Sequence, residues 1–365
     1  MKPMKILHVL RSPRAEGTVK LTLDWLLEPS LRQEVFVLHP EPPEMTGSLR
    51  TRASWYGQGT GLPAGAMKSA WILFQVWRVC VQRRPDLVIC WVNGFSPWVL
   101  GGAWLAGRVK LITHAGNPPT WTAWGKAQTM LSTLVTWVTG GRMVCCSRYV
   151  AAQFARSPGV FSPVLRVVHN CAPVASIRET AAEARARRTD RRPRLIMVAT
   201  LESHKDHVTL LRAMPAVIRA IPDVQLWLAG EGSLREQLQS LSGSLGLAEA
   251  VTFLGSRRDV PVLLGQSDVF VFSTTMEEGL GTVLIEALAA GLPVVASDVP
   301  ACREALEDGR WGSLVPGADH AALATAVIAS LQTRAEEETD ENERSDYLLR
   351  FTPPAMIAAY VAAAS

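Results

Sequence analysis

The residues best equipped for chemistry fall in one stretch. Ser273-Thr-Thr-Met-Glu-Glu278-Gly279-Leu280-Gly281-Thr282 runs into Val283-Leu-Ile-Glu286-Ala287, so that two carboxylates stand either side of a glycine turn. Gly279 and Gly281 let the backbone bend tightly and approach a ligand, with Leu280 held between them. A helix opening near Thr282 adds N–H groups and a dipole that favour an anion, which suits a diphosphate. Glu286, about one turn inside that helix, can accept two adjacent hydroxyls of a ribose, and Glu278 can reach hydroxyls of the next group along. Taken alone, two such glutamates read first as ordinary helix-start and helix-face charges. A cation for the phosphates is available in Met197-Val-Ala-Thr200-Leu-Glu-Ser-His-Lys205, where Lys205 supplies a point charge and Thr200 a neutral hydrogen bond about half as strong.

Three further places carry chemistry-bearing residues. Ala229-Gly230-Glu-Gly232-Ser-Leu-Arg235 fails as a dinucleotide fingerprint, because Arg235 takes the third glycine position of G-x-G-x-x-G. From the residues alone, Gly230 and Gly232 read as a plain strand-to-helix turn. Thr113-His114-Ala-Gly116-Asn117 ends a strand, where a lone histidine such as His114 is more often a structural hydrogen-bonder. Gly17 sits in the loop after Ile6–Leu10, just past Glu16.

These residues need strands and helices to place them, and the chain provides an alternation of short β-branched runs with amphipathic stretches, an α/β signature of parallel strands joined by helical crossovers. Strands are expected at Lys5–Leu10, Glu34–Leu38, Asp86–Trp91, Val109–Thr113, Met143–Cys146 and Leu165–Val168, then at Leu195–Ala199, Val224–Ala229, Val251–Leu254, Val269–Phe272 and Pro293–Ala296. The two sets suggest an N-terminal domain over 1–174 and a C-terminal one over 194–349. A charged stretch over 175–193 reads as a solvated connecting helix or linker, and the segment over 350–365 holds a last helix with Thr352 as N-cap and Pro353 at its first position. At 365 residues, two domains are the natural expectation.

Composition narrows the class. The net charge of +4 is slight for this length and argues against nucleic acid. The six cysteines form no C-x-x-C pair or His cluster and read as core residues of a reducing compartment. The apolar run at Ile6–Leu10 is too short for a signal peptide, and no run is long enough to cross a membrane. A cytoplasmic protein is expected, with a peripheral place on the inner face of the membrane as the variant. Twelve tryptophans bear on that variant. Trp71–Arg84 has an interfacial composition, whereas Trp121, Trp124, Leu131, Leu134, Val135 and Val138 share a helical face that reads as a buried stripe.

The stretch from Glu278 to Glu286 resembles the E-x7-E motif of family 4 glycosyltransferases of the GT-B fold. Phe253-Leu-Gly-Ser, Asp268-Val-Phe-Val-Phe-Ser and Ala289-Ala-Gly-Leu-Pro-Val-Val-Ala-Ser-Asp298 are similar to that family too. The resemblance implies two Rossmann-like domains facing a cleft, with an acceptor-side first domain and a donor-side second one. It also implies a retaining transfer of a hexose-type sugar from a nucleotide-diphosphate sugar to a glycan or lipid-linked acceptor, as in surface polysaccharide or glycolipid assembly. No obligatory metal or cofactor is implied. On the same ground Glu278 and His114 are the catalytic candidates, and Gly17, Thr200, Lys205, Gly230, Gly279, Leu280, Gly281, Thr282 and Glu286 the donor contacts. The chain departs from the family's G-R-L-x(3–4)-K pattern in having Ala199 and Thr200, which implies either weaker donor binding or replacement of the missing cation by Arg257, Arg258 or His204. An epimerase or hydrolase of the same fold, and a catalytically silent partner subunit, are the rival readings.

Overall fold

The computed structural model describes residues 3–14, 17–60, 63, 65, 67–333 and 341–365. The chain divides into two compact units, one of Met1–Cys171 with Pro353–Ser365 and one of Ala172–Thr352. Among the described residues the first unit holds strands β1 (Lys5–Leu10), β2 (Arg32–Val37), β3 (Trp55–Gln58), β4 (Leu87–Cys90), β5 (Lys110–Ala115), β6 (Arg142–Cys145) and β7 (Leu165–Val167). They pair in parallel in the order β3-β2-β1-β4-β5-β6-β7. Successive side chains of a strand point to opposite faces, so β1 sends Ile6 and Leu10 into one core cluster and Leu7 and Val9 into another. The first cluster is closed by Trp25 of the helix Gly17–Trp25 and by Met356, Ile357 and Tyr360 of the last helix, Pro353–Ala363.

The second unit repeats the plan with β8 (Arg194–Val198), β9 (Gln225–Ala229), β10 (Val251–Gly255), β11 (Val269–Phe272), β12 (Val294–Ser297) and β13 (Ser313–Val315), parallel in the order β10-β9-β8-β11-β12-β13. In both sheets the chain reverses its direction of strand addition beside the first strand, between β1 and β4 and between β8 and β11. In open parallel sheets ligands settle outside the carboxyl ends of strands at such a switch point.

The expected strands form to within two residues at their ends. The sequence reading misses β3 and β13, which are short edge strands with no alternating pattern; β3 contains Gly57 and β13 has three residues. Residues 174–186, within the stretch expected to be a connector, form a helix that buries Val174, Ile177, Ala181 and Ala184 inside the second unit. Its small residues allow contact at backbone distance: a Cβ added to Gly265 would lie 2.2 Å from the carbonyl of Ala181.

Most of the stripe expected to be buried is turned outward, while Leu134 and Val135 are half-buried and Val135 packs against the core. The helix Ala123–Val138 buries Gly125, Thr129, Ser132, Thr133 and Thr136, while Trp121, Trp124, Leu131 and Val138 are exposed. The inward hydroxyls of Thr133 and Thr136 donate to the carbonyls of Thr129 and Ser132, at 3.1 and 2.6 Å. Once bonded to their own helix, these groups can be packed without an outside partner. Small residues are also needed there, since a Cβ on Gly125 would overlap Thr120.

Candidate functional site

At the carboxyl end of β11 the chain makes the glycine turn, and Glu278 folds back into it. One carboxylate oxygen accepts from the N–H groups of Gly279 (3.1 Å) and Gly281 (3.2 Å), and the other receives the Lys205 ammonium. Lys205 comes from the turn Ser203–Lys205 after β8, so the pair spans the switch point of this sheet. Its ammonium also lies 5.2 Å from the ring centre of Phe272. Burial alone would push the Glu278 carboxyl up. The Lys205 charge and hydrogen bond, with the Gly279 N–H, outweigh it and hold the group below its usual range. Glu278 is therefore a buried, fully ionised carboxylate.

Gly281, with φ of 71°, is the left-handed residue that starts the helix Thr282–Ala289. Leu280 is buried beneath the turn, Thr282 opens the helix half-buried, and Glu286 is half-buried further along it. Lys205, Glu278, Gly279 and Gly281 are thus in direct contact, with Leu280, Thr282 and Glu286 following on the same turn and helix.

Thr200 and Gly230 form a neighbouring layer. Thr200 is exposed after β8, and the 199–201 backbone runs so close to the 230–232 turn that a Cβ on Gly230 would lie 1.8 Å from the Ala199 carbonyl. Gly232 meets the Leu201 carbonyl in the same way, at 2.4 Å. Close backbone packing accounts for both glycines. Residues missed in the sequence lace these loops together: Glu202 accepts from the N–H and hydroxyl of Ser233, and Thr274 donates its hydroxyl to the His204 carbonyl at 2.8 Å. Their signal was only their nearness to Lys205 and Glu278.

Two proposed replacements for the missing cation are otherwise engaged. Arg257 is held by Asp259 at 2.8 Å, and burial and the adjacent Lys205 charge lower the pKa of His204, which keeps it neutral. Next to it His207 is buried with neither ring nitrogen hydrogen-bonded, its pKa lowered to about 4 chiefly by burial.

In the first unit, His114, the next-to-last residue of β5, stands at the wall of a pocket of about 340 Å³. Arg11, Thr18, Trp91, Asn93, Asn117, Gln128 and Ser132 line the same pocket. His114 is 2% exposed, and its Nδ1 lies 2.7 Å from the Tyr360 hydroxyl. Burial lowers its pKa to about 4, so the imidazole is neutral. Nε2 faces Gly116, where an added Cβ would be 3.1 Å away.

Behind it stands a network the sequence did not disclose. His8 Nδ1 accepts from the Trp91 indole at 3.0 Å, and His8 Nε2 lies 3.1 Å from the Gln33 carbonyl oxygen. Trp25, Trp91, Tyr360 and the two histidines stack or meet edge-on around one another. Two lining groups, Asn93 Oδ1 and Ser132 Oγ, are buried and have no protein partner. Such atoms are costly unless a ligand or water meets them. Gly17 is exposed with open space around it, and the neighbouring Glu16 lies outside the described residues.

Residues 192–333 match the family model "Glycosyl transferases group 1". A Mycobacterium leprae phosphatidyl-myo-inositol mannosyltransferase is 44% identical over 133 residues, 36% of this chain and 35% of that protein. A GDP-mannose-dependent alpha-(1-6)-phosphatidylinositol monomannoside mannosyltransferase of Mycolicibacterium smegmatis is 32% identical over 266 residues, 66% of each chain. The alignments thus span about a third of the first relative's length and just under two thirds of the second's. The crystal structure of Anabaena Alr3699/HepE in complex with UDP superposes with a TM-score of 0.82 at 19% identity, covering 98% of this chain and 100% of the other.

Proposed function

The chain resembles the group 1, family 4 glycosyltransferases and has their two Rossmann-like units, and from that premise we propose that it transfers a hexose from a nucleotide-diphosphate sugar to a glycan or lipid-linked acceptor with retention of anomeric configuration. The observation that carries this reading is the ionised Glu278, held by Lys205 and two glycine N–H groups at the carboxyl edge of the second sheet. On donor binding the Lys205 charge serves the phosphates and Glu278 the sugar hydroxyls, while Glu286 takes the ribose. The bond between the anomeric carbon and the diphosphate oxygen breaks, and the acceptor oxygen bonds to that carbon on the same face. The departing phosphate oxygen takes the acceptor's proton. Positioned charge of this kind is worth most where water is excluded.

The unpartnered Asn93 and Ser132 oxygens, beside neutral His114, support the first unit's pocket as a place for a hydroxylated acceptor. The names of the mycobacterial relatives favour a mannosyl donor and a glycolipid acceptor, and the neighbour's title a uridine nucleotide. No described helix is long and apolar enough to cross a membrane, in keeping with a cytoplasmic or peripheral enzyme. Thr200 in place of the usual arginine favours a second reading, a silent partner subunit.

Thermal-shift measurements against UDP, GDP, ADP and their hexose conjugates decide between them. Stabilisation by one nucleotide, lost in Glu286→Ala, is expected; no response to any of them would favour the silent subunit.

A further inference from the structure

The helix Ala123–Val138 is built inside out. Its fully buried residues are glycine, serine and threonine, with Leu134 and Val135 half-buried beside them, and its outer face carries Trp124 (78% exposed), Leu131 (38%) and Val138 (58%) at seven-residue spacing, one stripe of a helix. Trp137 and Trp121 flank that stripe, also about half exposed. The surface does not end there. Phe74 and Trp77 of the helix Met67–Arg83 and Trp104 and Leu105 of the helix Ser96–Leu105 are exposed on neighbouring helices. Trp104 borders the same depression as Thr139, at the end of the inside-out helix. Scattered apolar residues need no explanation, but a run of this extent rimmed by polar groups marks an interaction face.

The slight net charge of the whole chain hides a strong local asymmetry. Between Glu44 and Glu179 there is one acidic residue, Asp86, against fourteen arginines and lysines. Several of these border the apolar surface. Lys126 lies 6.0 Å over the Trp121 ring, Arg78 is on the helix of Phe74 and Trp77, and Arg108 and Lys110 outnumber Asp86 in the depression that Trp104 borders. Tryptophan and basic residues together on one apolar face fit the headgroup region of an anionic bilayer, which attracts each lysine and arginine near its surface.

We propose that this face docks on an anionic lipid surface, and that the helix Ala123–Val138 is shared between membrane and pocket. Its inner residues Gly125, Gln128, Thr129 and Ser132 line the pocket beside His114, one helix diameter from the lipid-facing stripe. An acceptor whose polar head enters that pocket can keep its hydrocarbon chain in the bilayer. This last point rests on the transferase reading, whereas the docking itself rests on the surface alone.

The test is flotation of the full chain with vesicles of phosphatidylglycerol and phosphatidylcholine at 1:1, or of phosphatidylcholine alone, without donor or acceptor. Binding is expected to the anionic vesicles, to weaken with added salt, and to fall at least tenfold in a Trp124→Ser/Leu131→Ser/Val138→Ser variant. Thermal melting checks that this variant remains folded, since its three side chains are exposed. Failure of the unaltered chain to float with anionic vesicles would overturn the proposal. So would equal binding by the variant, or self-association of the chain that the variant abolishes, which would assign the face to a second copy. Nucleotide binding is read separately by thermal shift, so a chain that floats but binds no nucleotide contradicts the transferase reading and leaves the docking face standing.

Discussion

At the residue scale, the central object is a buried carboxylate whose charge is kept by its neighbours. Glu278→Gln preserves the size of the side chain and removes the charge, and is expected to lower kcat by about 10²- to 10³-fold, as loss of one preorganised electrostatic contact does. Steady-state kinetics with the donor that binds will measure it. Lys205→Met leaves the carboxylate unpaired in a nearly dry site, which costs about 3 kcal/mol or more at neutral pH. The sign with pH follows from the depressed carboxyl pKa. In the unaltered chain the pairing contributes stability above the ordinary carboxylate range and loses it as pH falls through the folded value. Without Lys205, burial pushes the carboxyl up instead, and the variant recovers relative stability as Glu278 protonates. Urea midpoints should therefore differ more at pH 7.5 than at pH 5; a constant gap would mean that the two groups do not interact. Both partners were singled out in the sequence, through the family resemblance of the two segments that hold them. The sequence could not disclose that they meet, because they are contributed by loops after two strands that become neighbours only in the sheet.

At the element scale, the last helix supplies a residue to the first unit's pocket wall. Tyr360 is fully buried and bonded to His114, so Tyr360→Phe keeps the packing and deletes one hydrogen bond. A loss of about 1 kcal/mol is expected in urea unfolding; a change several times larger would show that the hydroxyl anchors more than the imidazole. Central strands were legible because strands buried on both faces read as continuous apolar runs. The edge strands β3 and β13 were not, since an edge needs less apolar surface and tolerates glycine. The helix Ala123–Val138 misled for a sharper reason. Periodicity locates an apolar stripe but not the side on which the protein lies, and here the polar stripe faces inward with its threonine hydroxyls bonded to their own backbone. Tyr360, 246 residues from His114, carried no sequence signal at all.

At the scale of the whole molecule, each unit holds histidines that folding keeps neutral. His8 and His114 in the first and His207 in the second have pKa values lowered to about 4, mainly by burial, against 6.5 in the unfolded chain. The unfolded state binds these protons first, so the stability is fully present above about pH 6.5 and is lost as pH falls towards 4, on the order of 3 kcal/mol per group. His207 has no hydrogen-bond partner to forfeit, so His207→Leu should stabilise the chain at pH 5 relative to pH 7.5 by more than 1 kcal/mol, measured by urea unfolding at the two pH values. The claim that joins all three scales is that the second unit binds a diphosphate through Lys205. Calorimetric titration with the nucleotide that gives the largest thermal shift, as its diphosphate and as the bare nucleoside, addresses it most directly. The account predicts binding at least tenfold tighter for the diphosphate, with the advantage lost in Lys205→Met; equal affinity for both forms, or an advantage that survives the substitution, would contradict it.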